Sequence, residues 1–281
     1  MTERLIEANA LKHFLRDDGP KDAPAAILLH GFPDTADLWR GVTPDLVAGG
    51  FRVIAPDLRG FGRTDIPASL KDYAILEGAA PDIIAIVDAL GLGTPHLVGH
   101  DFGAAVAWAL AIAHPDRFSS LAALSLGHPR AFLKAGWGQR RRSWYIGLHH
   151  LRGLAEWAYR ADDWRLLRGL FPEAEAEARI AMLERPGRLA AALKWYRANT
   201  KIRYLFIDPP LAPRENEIVR IPTMGIWSAG DKYLGYRQMA TSEAYVEAPW
   251  RFEEIEEAGH WIMRDAPARL TDLLLSHWRA H

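Results

Sequence analysis

Short apolar runs alternate with longer helical patterns over the first half of the chain. Runs rich in Ile, Val and Leu at 25–30, 51–57 and 95–100 predict three strands. Between the last two, "EGAAPDIIAIVDALGLG" has apolar residues at helical spacing and ends at glycine, and "FGAAVAWALAIAHP" predicts a buried helix after the third strand. Strands that alternate with helices in this way are typical of a parallel sheet with crossover helices.

The pattern changes after a strand-like run at 121–129. From about 130 to 212 there is no convincing strand, and this segment holds five tryptophans and many arginines. Strand patterns resume at 221–231 and 250–260, and a helical pattern at 267–280 closes the chain.

We therefore predict an α/β protein in which a sheet domain, residues 1–129 and 213–281, is interrupted by a helical cap at 130–212. The cap tryptophans are compatible with an apolar pocket, but we expect Trp144, Trp157 and Trp164 to pack in the core of the cap, because a large indole ring is more often buried than exposed.

Composition narrows the possible partners. The chain has 281 residues, a formal net charge of -1 and no cysteine. These values argue against nucleic acid as a partner and exclude disulfides and thiolate metal sites. The first residues lack the apolar core of a signal peptide, and no segment approaches the ~20 apolar residues of a membrane span. We expect a soluble cytoplasmic protein with no membrane partner.

The segment "GHDFGA", residues 99–104, has the spacing of a nucleophile elbow, with Asp101 at its centre. It lies between an apolar strand and an apolar helix, which is the context such an elbow needs. Gly99 and Gly103 leave room for the tight turn. The alternative is that Asp101 is only the N-cap of the following helix, since Asp is a preferred capping residue.

An attacking carboxylate forms an ester, and a histidine oriented by a second acid is the usual device for delivering water to it. His260 lies beyond a late strand pattern and Asp231 ends the strand pattern before it. The order Asp101, Asp231, His260 is that of nucleophile, acid and base in the α/β-hydrolase arrangement. Taken singly, His260 could be a surface histidine and Asp231 a turn residue.

The remaining histidines offer less. His96, His100 and His114 look structural, and the adjacent His149 and His150 could not share one helix face as metal ligands.

The oxyanion of an ester intermediate needs hydrogen-bond donors, and the main-chain N–H groups of Phe102 and Phe32 are the candidates. The alternative for the Phe32 loop is an ordinary turn.

Four segments together resemble the α/β-hydrolase family: "HGFPDTADLWR", "DLRGFGRTDIP", "GHDFGAAVAW" and "AGHW". Within it they resemble the epoxide hydrolases and the haloalkane dehalogenases, which use an aspartate nucleophile. The resemblance spans nearly the whole chain. It implies the α/β-hydrolase fold, with a mostly parallel central sheet flanked by helices and a helical cap inserted after the sixth strand.

The resemblance also implies two cap tyrosines that hydrogen-bond the oxirane oxygen. Tyr145 occupies the first position and Tyr196, in "LKWYRANT", the second. A phenol can donate to the alkoxide that ring opening creates. Alternatively, both tyrosines only pack within an aromatic cap. The Phe-Gln step that follows the first tyrosine in the family reads His149-His150 here, which bears on how the cap closes.

The branch follows from the donors available. Dehalogenases hold the halide with side-chain N–H groups, commonly from a Trp after the nucleophile, whereas this chain has Phe102 there and Phe32 after Gly31. We therefore predict an epoxide hydrolase that converts a small apolar epoxide and water to a vicinal diol through an aspartyl alkyl ester. No metal or organic cofactor is implied. A haloalkane dehalogenase and a non-catalytic binding protein on the same fold are the alternatives. The substrate and the oligomeric state, a homodimer included, are left open.

Overall fold

The computed structural model describes residues 2–211 and 214–281. Within them, eight strands form one sheet: β1 (Thr2–Ala8), β2 (Leu11–Asp18), β3 (Ala25–Leu29), β4 (Arg52–Pro56), β5 (His96–His100), β6 (Leu121–Leu124), β7 (Thr223–Ser228) and β8 (Trp250–Ile255). The strand order is β1-β2-β4-β3-β5-β6-β7-β8. All neighbours from β4 to β8 are parallel, while β1, β2 and β4 pair antiparallel. The predicted mostly parallel sheet is confirmed.

The antiparallel hairpin of β1 and β2 is not predicted from the sequence. Only Ala8 is buried in β1, so this edge strand has no apolar run. In β2 the apolar residues Phe14 and Leu15 are followed by Arg16 and Asp17, which are buried and form ion pairs. Arg52 forms an ion pair of 2.8 Å with Asp17. Paired charges therefore occupy buried positions of this strand, so the sequence lacks the apolar pattern by which a strand is predicted.

The helices lie between the strands and after them. Their bounds are α1 (Thr43–Ala48), α2 (Ala80–Leu90), α3 (Phe102–Ala113), α4 (Pro129–Leu133), α5 (Trp137–Arg142), α6 (Tyr145–His150), α7 (Leu154–Arg168), α8 (Glu173–Glu184), α9 (Arg188–Asn199), α10 (Tyr236–Ala240), α11 (Ile262–Asp265) and α12 (Pro267–Arg279). Gly91 ends α2 with a φ of 61°, as the sequence pattern predicts. In the part of the chain that is described, no helix has the length and apolar character needed to cross a bilayer.

Among the described residues between β6 and β7 there are six α-helices, α4 to α9, and residues 130–211 contain no strand. The helix α7 is broken at 161–164, where the main chain leaves helical angles. Of the three tryptophans expected inside this stretch, Trp164 is buried, but Trp144 and Trp157 are exposed by 66% and 65%. That expectation was wrong for these two, because each faces outward from its helix. The boundary between 212 and 213 lies outside the described residues, so the limits of the cap stay a prediction.

The central strands are buried along their whole length. Every residue of β3, β5, β6 and β7 is buried, since helices cover both faces of the sheet. The carboxyl ends of these parallel strands point to one edge, which is where α/β sheets bind their ligands. The candidate residues of the sequence analysis follow β3, β5, β7 and β8, and the six helices of the insertion supply the rest.

Candidate active site

Asp101 occupies a tight turn between β5 and α3. Its main chain has φ 52° and ψ -119°, a region that residues with side chains rarely adopt. The turn is possible because glycines flank it. A Cβ on Gly103 would lie 2.1 Å from the Leu29 carbonyl oxygen, and one on Gly99 would lie 2.3 Å from the Gly103 carbonyl oxygen. Such main-chain strain at an acid that follows a central strand is typical of a nucleophile elbow.

The Asp101 side chain does not cap α3. It makes no capping hydrogen bond to the helix, and its Oδ1 accepts a hydrogen bond of 3.0 Å from the Phe32 N–H. The loop that carries Phe32 comes this close only because residue 31 is glycine, since a Cβ there would lie 2.4 Å from Asp101 Oδ1. The capping alternative therefore loses its support.

The surroundings of Asp101 act on its pKa in opposite directions. Removal from bulk water raises the pKa of Asp101 above the ordinary value, and the charge of His260 and the N–H groups of Phe32 and Phe102 offset only part of this rise. The Phe32 N–H donates to Oδ1, and the Phe102 N–H also acts on this carboxyl. The two N–H groups expected as oxyanion donors thus meet at Asp101.

His260 and Asp231 form a buried hydrogen-bonded pair at the ends of β8 and β7. The His260 Nδ1 lies 2.8 Å from Asp231 Oδ2. The other oxygen, Asp231 Oδ1, accepts from the N–H groups of Tyr233 and Leu234 at 2.8 and 2.9 Å. A ring whose Nδ1–H is held by a carboxylate leaves Nε2 to accept a proton.

The charges in this pair shift the pKa values of both groups. Burial acts to raise the pKa of Asp231, but the His260 charge and its hydrogen bond outweigh it, so the pKa is lowered. Burial acts to lower the pKa of His260, but Asp231, followed by Asp101, raises it above the ordinary value. The site therefore favours an imidazole that readily takes up a proton.

Two buried side chains hold the main chain of His260 in place. Its carbonyl oxygen accepts hydrogen bonds from His100 Nε2 at 2.9 Å and from Ser125 Oγ at 3.1 Å. Burial lowers the pKa of His100 to about 3, so this ring is neutral. His100 therefore supports the loop that carries His260, which agrees with the structural role expected for it.

Tyr145 and Tyr196 approach Asp101 from the helical insertion. Tyr196 on α9 is buried and Tyr145 on α6 is partly buried, with ring centroids 6.0 Å apart. The Tyr196 ring lies 4.7 Å from Phe102 and 5.5 Å from Phe32. Burial raises the pKa of both phenols well above 10, and the charge of Asp101 adds to this. Both hydroxyls remain protonated and are within electrostatic reach of the carboxylate.

Three further side chains complete the surroundings of the site. The Tyr233 ring lies 5.1 Å from the His260 ring and 5.6 Å from the Tyr145 ring, so it contacts both the sheet domain and the helical insertion. His149 and Tyr159 pack beside Tyr196 and Phe32. Tyr233 is only two residues after Asp231, a signal that the sequence analysis did not use, whereas no pattern singled out Tyr159.

Asp34 connects the loop of Phe32 to both the sheet domain and the helical insertion. This buried carboxylate accepts a hydrogen bond of 2.9 Å from Arg179 Nε on α8 and another of 2.9 Å from Trp261 Nε1. The Arg179 guanidinium also lies 3.9 Å over the Phe171 ring. The residue after His260 and the helical insertion are therefore both anchored to the loop that holds Asp101.

No group of three or more metal-binding side chains is found within residues 2–211 and 214–281. In that part of the chain, the arrangement is an acid on an elbow, a His-Asp pair and two phenols. This set can carry out attack by a carboxylate, proton donation and activation of water.

This chain is similar to known proteins in both sequence and fold. A family model described as alpha/beta hydrolase fold matches residues 24–267. The chain belongs to the α/β-hydrolase family. It is 30% identical over 288 residues to Epoxide hydrolase 3 of Xenopus tropicalis, a match that covers 96% of this chain and 75% of that protein. It is also 29% identical over 315 residues to Epoxide hydrolase A of Mycobacterium tuberculosis, covering 98% and 96%. Within the family, this chain therefore belongs to the same branch as these epoxide hydrolases, as the resemblance in the sequence implies.

Solved structures agree on the fold of this α/β-hydrolase. The Bacillus megaterium epoxide hydrolase in complex with an inhibitor is 23% identical with a TM-score of 0.86, over 98% of this chain and 100% of that one. Epoxide hydrolase A from Mycobacterium thermoresistibile is 24% identical with a TM-score of 0.82, over 99% and 98%. At these identities the likeness establishes the α/β-hydrolase fold alone.

Proposed function

We propose that this α/β-hydrolase is an epoxide hydrolase that converts an apolar epoxide and water to a vicinal diol through an aspartyl alkyl ester. The observation that carries the proposal is the meeting at Asp101 of two main-chain donors, the His260–Asp231 pair and two protonated phenols. The two relatives named above, whose matches cover 96% and 98% of this chain, support the same reaction. The proposal includes the division into a core of residues 1–129 and 213–281 and a cap of residues 130–212.

The first step is ring opening. The free oxygen of Asp101 attacks an oxirane carbon, the carbon–oxygen bond breaks, and the released oxygen takes a proton from Tyr145 or Tyr196. An alkoxide is too basic to leave unaided near neutral pH, and a positioned phenol contributes about 10²–10⁴ in rate as a general acid. Because burial and the Asp101 charge keep both phenols protonated, a donor is present whenever the carboxylate is charged.

The second step is ester hydrolysis. His260 Nε2 takes a proton from water, which attacks the carbonyl carbon of the Asp101 ester. The oxyanion that forms at Oδ1 is held by the N–H groups of Phe32 and Phe102. Collapse of this intermediate breaks the bond to the alkyl oxygen, which takes the proton held by His260, and the diol leaves. The second proton of the water returns to the phenolate formed in the first step, so the restored carboxylate keeps one oxygen from water.

Ester formation changes the charges around His260. In the free enzyme the Asp101 charge is among the groups that raise the pKa of His260. Esterification moves that charge from Asp101 to the phenolate that has given up its proton, so the contribution of Asp101 to the raised pKa of His260 is lost while the ester is present.

The test is a single turnover of styrene oxide in heavy-oxygen water. The proposal predicts that the label enters Asp101 and that the first diol carries none, as measured by peptide and product mass spectrometry. Label in the first diol, with none in Asp101, contradicts the ester. Release of halide from bromoalkanes without diol from styrene oxide favours a dehalogenase. Binding without turnover, unchanged in Asp101→Asn, favours a non-catalytic binding protein.

A further inference from the structure

The pair formed by His149 and Tyr159 is left unused by the proposed reaction. Both residues are buried, and His149 Nε2 lies 2.9 Å from the Tyr159 hydroxyl. His149 on α6 occupies the position where the family resemblance leads one to expect phenylalanine. A polar pair placed in an apolar setting costs free energy unless its hydrogen bonds are used, so its presence calls for a partner.

The pair lies directly against the groups that act on the epoxide. The His149 ring centroid is 4.1 Å from that of Tyr196 and 5.5 Å from that of Tyr145. The Tyr159 ring is 5.8 Å from the ring of Phe32, whose N–H holds Asp101. The phenol of Tyr159 also adds to the rise in pKa of both Tyr145 and Tyr196, so the three hydroxyls are within electrostatic reach of one another.

The proton on His149 decides what Tyr159 can do. Burial, followed by the charge of Arg197, lowers the pKa of His149 to about 3, so the ring is neutral and carries one N–H. Arg197 Nε donates a hydrogen bond of 2.8 Å to the His149 carbonyl oxygen, which places the guanidinium near the main chain of this residue. Nδ1 is the ring nitrogen nearer the main chain.

Two observations assign the proton to Nε2. Nδ1 is buried and has no hydrogen-bond partner among the described residues, and an orphaned N–H in such a place is rarer than an orphaned acceptor. A nearby cation also favours a lone pair over an N–H on that side. Nε2–H then donates to the Tyr159 oxygen, and the proton of Tyr159 is free to donate elsewhere.

We propose that the Tyr159 hydroxyl, oriented by His149, is a third hydrogen-bond donor of this site and binds a second oxygen atom of the substrate. The preferred substrates are then epoxides with an ether or carbonyl oxygen near the ring. This inference rests on the proposed epoxide hydrolysis and adds substrate selectivity to it. In this arrangement His149 is a positioning residue, since it acts through Tyr159.

A matched pair of substrates tests the inference. Phenyl glycidyl ether and 4-phenyl-1,2-epoxybutane have the same shape and differ by an ether oxygen in place of one CH₂ group. The ratio of their kcat/KM values should fall by about fivefold to tenfold in Tyr159→Phe, the worth of one neutral hydrogen bond. The value for 4-phenyl-1,2-epoxybutane should change less than twofold.

Two other variants separate the pair from general packing. His149→Phe should lower the ratio like Tyr159→Phe, and it provides an independent measurement if Tyr159→Phe does not fold. Tyr204→Phe removes a phenol hydroxyl that hydrogen-bonds Arg203 at an exposed position and should leave the ratio unchanged. An equal loss on both substrates, or an unchanged ratio in both variants of the pair, overturns the inference. If the wild type forms no diol from either epoxide, the proposed function itself fails.

Discussion

The two halves of the candidate site are held in place by different forces. On the sheet side, Asp101, His260 and Asp231 follow parallel strands, and hydrogen bonds of 2.8 to 3.0 Å fix their side chains. On the cap side, Tyr145 and Tyr196 lie on helices and are held by ring contacts at 4.1 to 6.0 Å. Hydrogen bonds specify direction, whereas ring packing specifies volume and tolerates small shifts.

This difference matches the division of chemical work. Ester hydrolysis needs the proton of one water to be taken at a defined nitrogen, which the rigid His260–Asp231 pair provides. Ring opening must accommodate epoxides of different shape, which packed aromatic rings on separate helices can do. We therefore expect changes at His260 and Asp231 to stop the second step and changes at the cap phenols to slow the first.

The largest effect is expected from Asp231→Asn. The amide cannot hold His260 in the same tautomer, and comparable changes in hydrolytic triads cost about 10⁴ in rate. Loss of the carboxylate also lowers the pKa of His260, so the acidic limb of the pH–rate profile should move to lower pH, because the base then stays neutral in more acidic solution. Rapid-quench kinetics should show an alkyl-enzyme that accumulates. An unchanged acidic limb would contradict the role of Asp231.

The double variant Tyr145→Phe with Tyr196→Phe tests the cap side. Removal of both donors should lower the rate of ring opening by about 10²–10⁴, since no general acid remains for the leaving oxygen. No alkyl-enzyme should accumulate, which distinguishes this loss from that of Asp231→Asn. Each single variant should lose less, because the other phenol still donates. Accumulation of the ester in the double variant would show that the phenols serve the second step.

A smaller effect is expected where the two halves are joined. Asp34→Asn weakens the hydrogen bonds to Arg179 and Trp261, and we expect the free energy of unfolding to fall by about 1.5–3 kcal/mol. Urea unfolding measures this. Glu175→Gln removes a more exposed partner of the same arginine and should cost at most about 1 kcal/mol. If the two variants lose equal stability, Asp34 is not a specific link between the halves.

The sequence predicts the sheet side better than the cap side for a physical reason. Residues that follow a parallel strand must lie at one edge of the sheet, so the strand patterns alone are enough to bring Asp101, Asp231 and His260 together. The central strands are buried on both faces, and their apolar runs predict them directly. The hairpin of β1 and β2 was missed because its buried charges, Arg16 and Asp17, are paired with Asp37 and Arg52 and so give no apolar pattern.

Packing within the cap has no comparable rule. Tyr145 and Tyr196 were found only through the family resemblance, and Tyr159 gave no signal because its role depends on contact with His149. Trp144 and Trp157 were expected inside and are exposed. A helix can turn a large ring inward or outward with little change in sequence pattern, so the sequence does not specify the contacts between these helices.

The central claim is a covalent bond between Asp101 and the substrate. His260→Gln removes the base that hydrolyses the ester but leaves the carboxylate and both phenols in place. Mass spectrometry of this variant after incubation with styrene oxide should show one equivalent of added substrate mass on the peptide that contains Asp101. If that peptide stays unmodified while the variant continues to form diol, the substrate is hydrolysed without an ester and the account is wrong.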